Sequence, residues 1–237
     1  MKIDRVEIFG VAVPLIGEYK NAYLSKTVQK SAVVRITADG GVSGLGNIDP
    51  TPGYSKEQTA DHLEVLRSKL APLLVGMDAT NVHAVLAKIE PAVKGFLDSK
   101  ATIEMACVDL AARIAGMPVH AYLGGAVKER LLFNAWIGIL PPDEAAKETL
   151  GWKKKGFRSA KIKVGGNTMA EIMLAATSSN VIDGLECVGP LKTADDIVTR
   201  KLDLSSGSLP LPGGPGLGVT LDDAKLAKYR LEVKAAA

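Results

Sequence analysis

Two lysines separated by one residue are the strongest candidates for chemistry in this sequence. The run Ala160-Lys161-Ile162-Lys163-Val164-Gly165 has the alternating pattern of a β-strand. Side chains alternate across a strand, so Lys161 and Lys163 share one face and the apolar residues share the other. Lysine is rarely buried without a partner, so a pair that points into the protein indicates a chemical role for the amines. A solvated basic face on an edge strand is the alternative.

The composition is that of an ordinary globular protein. The 237 residues are 47% hydrophobic and 23% charged, and the net charge of +3 is too small to indicate nucleic-acid binding. No apolar run approaches the roughly 20 residues of a membrane span, and the first residues do not resemble a signal peptide. A cytoplasmic protein is therefore expected. Cys107 falls on an apolar helical stripe, which favours a buried reduced thiol over a disulfide with Cys187.

The first half of the chain predicts a small antiparallel sheet followed by three helices. Alternation over residues 2–13 and 31–38 indicates two strands, and Asp39-Gly40-Gly41 predicts a hairpin turn into a returning strand over 42–46. Ser55, with Gln58 as a capping box, predicts the start of the first helix. The second helix is expected from about Thr80. The third has apolar residues at helical spacing from Ile103 to Ile114 and ends before Gly116 and Pro118.

The second half predicts a strand–helix–strand unit. A buried strand over 133–140 precedes a helix from Asp143 to Lys155, whose acids come first and whose lysines Lys153-Lys154-Lys155 come last. The lysine strand follows after a short loop, which is typical of a parallel βαβ unit. Further on, we expect a helix over 168–177, a turn-rich loop over 205–218 and a short helix over 222–230.

These segments resemble the enolase superfamily, in its muconate-lactonizing and mandelate-racemase-like branch. The opening strand, the Asp39-Gly40-Gly41 hairpin and Gly44-Leu45-Gly46-Asn47 look like the capping domain of that family. The run from Ile103 to Arg113, continuing to Gly125, is similar to the helical signature before the barrel. Lys161-Ile162-Lys163 matches the Lys-x-Lys motif of the second barrel strand. Gly189-Pro190-Leu191 and Pro215-Gly216-Leu217-Gly218-Val219 look like the C-terminal segment that packs on the cap.

The resemblance implies an α+β capping domain over residues 1–130 and a (β/α) TIM-like barrel over 131–237. It further implies removal of a proton α to the carboxylate of a small acid or amino-acid derivative, by a racemase, epimerase, dehydratase or cycloisomerase. Lys163 would be the base and Lys161 its neighbour, since adjacent cations disfavour each other's charge and make a neutral amine available. Mg²⁺ is the expected cofactor, and a homo-oligomer is expected.

The chain departs from the family in length and in metal ligands. A barrel of this type needs about 250 residues, and residues 131–237 are fewer than half of that. No acidic strand ends resembling the family's metal ligands follow Lys163, so the metal ligands are expected to be missing. The sequence therefore predicts an incomplete barrel with an internal deletion between about Gly166 and Asn167. Either the polypeptide is inert, or this sequence omits residues that the natural protein contains.

Substrate contacts are expected from two cap loops, at about 17–26 and 47–54. Tyr19, Tyr23, Asp49 and Tyr54 are the candidate substrate-binding residues, against the alternative that each is an ordinary loop residue. Asp109 and Arg113, four residues apart on a helix, are expected to form a structural ion pair. A non-catalytic deletion product that keeps the cap fold and an oligomer contact, and an unrelated α/β binding module, are the competing interpretations.

Overall fold

An antiparallel sheet forms the amino-terminal part of the protein. The computed structural model describes residues 1–20, 24–126, 130–162, 185–186, 193–201, 203, 205–210 and 214–231. The sheet has the order β1-β2-β3, with strands β1 (Ile3–Lys20), β2 (Ser25–Ala38) and β3 (Ser43–Ile48). The predicted hairpin turn joins β2 to β3, with Gly41 at a φ of 77° that glycine adopts without strain.

The first two strands are longer than the alternation predicted. β1 continues to Lys20 and β2 starts at Ser25, with Tyr19 opposite Lys26 in the ladder. Most of the expected loop over 17–26 is therefore hairpin, and only its tip, 21–23, lies outside the described residues. Cross-strand contacts explain the extension, because Ser25 Oγ donates to Glu18 and the Lys26 ammonium lies 5.1 Å from the centre of the Tyr19 ring.

Helices cover one face of this sheet. They are α1 (Thr59–Val65), continued by a π-helical turn (Leu66–Leu70) and a 3₁₀ turn (Ala71–Leu73), then α2 (Val82–Ile89), α3 (Leu97–Ile114) and α4 (Val119–Tyr122). The predicted start of α1 at Ser55 is wrong. The Ser55 hydroxyl accepts from the Thr51 amide at 3.0 Å in a preceding turn, and the capping box is formed by Gln58 and Asp61.

The cap core lies between these helices and the sheet. Its buried residues include a leucine stripe of the first helical segment and the apolar face of α3, with Leu63, Leu66, Leu70, Leu74, Ile103, Ala106, Cys107 and Leu110 packed on Val34 and Ile36. Cys107 is fully buried, as expected, and burial raises the pKa of its thiol to about 12.

A second, mostly parallel sheet follows. It contains β4 (Arg130–Ile137), β5 (Ala160–Ile162) and β6 (Leu185–Glu186) in the order β5-β4-β6, and α5 (Pro142–Lys154) connects β4 to β5. The predicted βαβ unit is thus confirmed. The predicted loop over 205–218 is wrong in part, because β7 (Ser208–Pro210) pairs antiparallel with the start of β4. The expected helix over 168–177 lies outside the described residues.

The C-terminal residues return to the cap. The Leu231 and Ala194 amides donate to the Gly10 and Pro14 carbonyls at 2.7 and 2.8 Å, and the Ala12 amide donates to the Tyr229 carbonyl at 2.7 Å. Helix α6 (Asp223–Lys228) places Leu226 against Val11 and Val33 on the sheet face opposite the helices. The boundary at residue 130 remains a prediction.

Candidate functional site

Strands β4 and β5 separate an apolar face from a polar one. Phe133 and Ala135 pack with Phe157, Trp152 and Ala160 on the side of α5. In the parallel ladder Trp136 is the partner of Lys161, so their side chains lie on the other face of the sheet. The prediction from the alternation is met only in part. Ala160 packs on the side of α5, but Ile162 is 45% exposed, and Lys161 is exposed on β5, the edge strand of the described sheet. A solvated lysine on an edge strand is the alternative that the sequence left open, so the chemical role of the two lysines remains a prediction.

The cap hairpin packs directly on that polar face. The Tyr19 ring stacks on the Trp136 ring, with centroids 4.7 Å apart and planes inclined by only 9°. Trp136 is buried, although the neighbouring Lys161 is exposed. The stack therefore brings a residue of the first predicted substrate loop next to the strand that carries the predicted catalytic lysines.

A polar cluster lies beside Tyr19 on the hairpin. The half-buried Lys26 ammonium donates to Gln29 Oε1 at 2.5 Å. Burial lowers the pKa of Lys26, and the negative charge of Asp49 opposes this shift. The negative charge of Asp49, directly after β3, thus acts on the same corner of the cap. The Lys26 ammonium is a positive group that an anion could contact there.

A cavity of about 260 Å³ lies on the sheet face that the C-terminal segment covers. Valines of β1 and β2 form its floor, and Gln29, Asn47 and Asp49 lie at the hairpin side. Asp195 of the C-terminal segment also lines the cavity, and the Tyr229 hydroxyl donates to it at 2.7 Å and holds the pKa of that carboxyl well below its usual range. The cavity is mainly apolar with a few polar groups, as ligand sites commonly are.

The structure brings together some of the predicted site residues. Tyr19, Asp49 and Lys161 lie in or beside the corner described above. Tyr54 is 60% exposed at the surface of the second loop, with Pro52 bridged to Ser55 nearby. Tyr23 and Lys163 lie outside the described residues, so their placement remains a prediction.

Sequence reasoning missed two contributors to this corner. Trp136 lies in a run that the sequence predicts to be a buried strand, and it is buried, but its stack with Tyr19 joins residues more than a hundred positions apart. In the sequence, Lys26 is only the last residue of the loop predicted at about 17–26. Its half-buried position opposite Tyr19 could have been anticipated only if the hairpin ladder had been extended past Pro14.

Asp109 and Arg113 form a buried junction between the cap and the C-terminal segment. The ion pair predicted from their spacing is present, with Arg113 Nε 3.0 Å from Asp109 Oδ2. The same carboxylate accepts from the Leu45 amide at 2.9 Å and from the Leu217 amide at 2.7 Å. Arg113 also donates to the Val219 carbonyl at 2.6 Å. The pair has a structural role, as expected.

The described residues do not provide a metal site. Within this part of the chain, no group of three or more His, Cys, Asp or Glu side chains is placed to hold a metal ion. Magnesium prefers several oxygen ligands in near-octahedral geometry, so the donors seen here do not fit it. Among the described helices, none has the length and apolar character needed to cross a membrane.

Comparison with known proteins gives a consistent assignment. Residues 5–124 match the family described as mandelate racemase / muconate lactonizing enzyme, N-terminal domain. The L-Ala-D/L-Glu epimerase of Bacillus subtilis (strain 168) is 32% identical over 170 residues, 72% of this chain and 46% of that protein. The N-succinyl-L-Arg/Lys racemase of Bacillus cereus is 27% identical over 175 residues, 73% of this chain and 47% of that protein.

The solved structure of the Bacillus cereus N-succinyl Arg/Lys racemase has the same fold. It matches this fold with a TM-score of 0.87 at 16% identity, covering 98% of this chain and 99% of that one. The chain spans about half the length of the curated relatives that it matches in sequence. This difference in length agrees with a capping domain and an incomplete barrel. The chain belongs to the mandelate racemase / muconate lactonizing enzyme family of the enolase superfamily.

Proposed function

We propose that this chain derives from an enzyme that removes the proton α to the carboxylate of a small acid, and that the 237-residue polypeptide does not turn such a substrate over. Its relatives include epimerases, a racemase, a dehydratase and cycloisomerases. The names of the two relatives above favour an amino-acid derivative as the ancestral substrate. The second lysine of the Lys-x-Lys strand, Lys163, would accept the proton, with Lys161 beside it.

One observation carries the assignment of the site. The Tyr19 ring covers Trp136 at 4.7 Å, and Trp136 is the ladder partner of Lys161. The cap hairpin therefore lies over β4, beside the strand of the proposed base and on the polar face of the sheet. In this position Tyr19 would exclude water from one side of a bound carboxylate, and Lys26 would supply a positive charge nearby.

The proposed lack of turnover rests on the missing part of the barrel. Residues 131–237 are fewer than half of the roughly 250 residues of a complete barrel. In intact relatives Mg²⁺ would supply charge stabilisation for the enediolate. The sequence after Lys163 does not resemble the family's acidic metal-ligand strand ends, so Lys163 would have to remove the proton without electrophilic assistance, which should be very slow.

Solvent-deuterium exchange tests this proposal. The chain, at its expected mass of 24.9 kDa, is incubated in D₂O with Mg²⁺ and either L-Ala-L-Glu or an N-succinyl amino acid, and α-proton loss is followed by NMR. We expect no exchange above that of a Lys163→Ala variant, while the Bacillus subtilis epimerase exchanges its dipeptide. Magnesium-dependent exchange that the Lys163→Ala substitution abolishes would show an active enzyme.

A non-catalytic role for the cap fold is the second candidate. It is favoured by the cap core and by the docking of the C-terminal segment through Asp109 and Arg113, neither of which needs a complete barrel. The predicted homo-oligomer belongs to this candidate. Light scattering after gel filtration would support it by a mass that is a multiple of 24.9 kDa, and a monomer would count against it.

A further inference from the structure

A second cavity lies at the end of the parallel sheet where β4 and β5 begin. The carboxyl end of the lysine strand is at the opposite end of this sheet. The cavity has a volume of about 210 Å³, and it lies between the starts of β4 and β5 and the turn before β7. Active sites of barrel enzymes lie at the carboxyl ends of the strands. This cavity is at the amino-terminal ends, so it is separate from the corner formed by Tyr19, Trp136 and Lys161.

The lining of this cavity is suited to an anion. Two arginines, Arg130 and Arg158, contribute to it, together with the hydroxyl-bearing residues Ser159 and Ser206. Among the described residues that line it, none carries a carboxylate. A guanidinium group has five N–H donors in a planar fork, so an arginine that already has one partner can still donate to an oxyanion.

Two glycines hold the cavity in its shape. Gly156 and Gly207 have φ values of 93° and 73°, a conformation that other residues rarely adopt. A Cβ atom on Gly156 would lie 2.9 Å from the Ser206 carbonyl oxygen, and one on Gly207 would lie 3.1 Å from Phe157 Cα. The two turns therefore approach each other more closely than side chains would allow, and the arginines lie beside this fixed backbone.

The charges around the cavity favour the same ligand. The basic run Lys153-Lys154-Lys155 ends α5 directly before Gly156, as the sequence predicted. Positive groups concentrated at one end of the sheet raise the local concentration of anions.

We propose that this cavity binds a small oxyanion of the phosphate type through the Arg130 and Arg158 guanidinium groups. Bidentate Arg–oxyanion hydrogen bonds are short and are about twice as strong as bonds between neutral groups, so the arginines would provide most of the affinity. The cavity volume suits an ion of this size better than a drug-sized molecule.

Equilibrium dialysis with radiolabelled phosphate, at constant ionic strength, tests the site. We expect saturable binding by the wild-type chain, weakened about tenfold or more by Arg158→Ala and by Arg130→Ala, since each removes a charged hydrogen-bonding partner. Arg158→Lys keeps the charge but loses the planar fork, so it should fall between Arg158→Ala and the wild type. Circular dichroism confirms that each variant is folded.

Lys88→Ala is the matched control, because it removes one exposed positive charge from α2, far from the lining residues. Its phosphate affinity should equal that of the wild type. Sulfate should compete with phosphate, whereas chloride at the same ionic strength should not. Absence of saturable binding, an unchanged affinity in Arg158→Ala, or an equal loss in Lys88→Ala would each overturn the proposal, independently of any catalytic assay.

Discussion

A single buried carboxylate, that of Asp109, joins three parts of the molecule. It is fully buried, and it accepts hydrogen bonds from a helix side chain, a strand amide and a C-terminal amide. A buried charge is stable only when it is paired and hydrogen-bonded, and these partners satisfy it. The neighbouring backbone is fitted to this carboxylate, since a Cβ atom on Gly216 would lie 2.0 Å from Asp109 Oδ1.

Replacing Asp109 by Asn should destabilise the protein strongly. The neutral Asn side chain would leave the charge of Arg113 uncompensated. Its NH₂ group could also face a backbone N–H, where two donors would meet. We therefore expect a loss of about 3 kcal/mol in the free energy of unfolding. Urea denaturation followed by circular dichroism measures it. The control is Glu104→Gln, an exposed carboxylate on the same helix, which should change stability by less than about 0.5 kcal/mol. Similar losses in both variants would contradict the role of Asp109 as a junction.

The sequence predicted the ion pair within α3, but it did not predict the hydrogen bonds that β3 and the C-terminal segment donate to Asp109. The spacing of Asp109 and Arg113 on one helix face was sufficient to predict the ion pair. The Leu45 and Leu217 amides are 64 and 108 positions away, and helical periodicity carries no information about such partners. Their positions follow from the tertiary packing of β3 and of the C-terminal segment.

At the scale of elements, the contact between β3 and α3 depends on two glycines. A Cβ atom on Gly46 would lie 2.0 Å from the Thr102 carbonyl oxygen, and one on Gly44 would lie 2.2 Å from the Ala106 carbonyl oxygen. Both obstacles are helix backbone, which cannot rotate away as a side chain can. These glycines therefore allow the strand to lie directly on the helix.

The substitution Gly46→Ala should separate β3 from α3 and cost about 3 kcal/mol, near the upper end of the effects of overpacking. Thermal and urea unfolding would measure the loss. Gly151→Ala is the matched control: this glycine is in α5, nothing lies within 4 Å of the position that an added Cβ atom would take, and alanine should stabilise the helix by about 0.5–1 kcal/mol. Equal effects of the two changes would show that the close approach at Gly46 is unimportant.

The sequence predicted which segments form helices and strands, but it did not predict the residues at which several of them begin or end. The helical stripe of α3 and the βαβ unit follow from apolar periodicity, which burial enforces. The start of α1 was wrong because Ser55 serves a turn with Thr51 rather than capping the helix. The extension of β1 to Lys20 and the pairing of β7 with β4 depend on partners distant in sequence, which local patterns do not specify.

At the scale of the whole molecule, the two sheets have very different cores. The cap core combines residues from β1, β2, α1, α2 and α3. Among the described residues, the core of the second sheet that packs on α5 consists of Phe133, Ala135 and Phe157, with Trp152 and Ala160 packed beside it. Burial of apolar surface is the main stabilising contribution to folding, so local stability should be much higher in the cap.

Hydrogen exchange followed by mass spectrometry should reveal this difference. Amides of α3 should exchange at least about tenfold more slowly than amides of β4 and α5, because the second sheet can open without disrupting the cap core. A Phe157→Ala variant removes a large part of the smaller core, so it should accelerate exchange in β4 and α5 and leave α3 unchanged. Uniform protection across both sheets, or acceleration in α3 as well, would show that the incomplete barrel and the cap unfold as one cooperative unit.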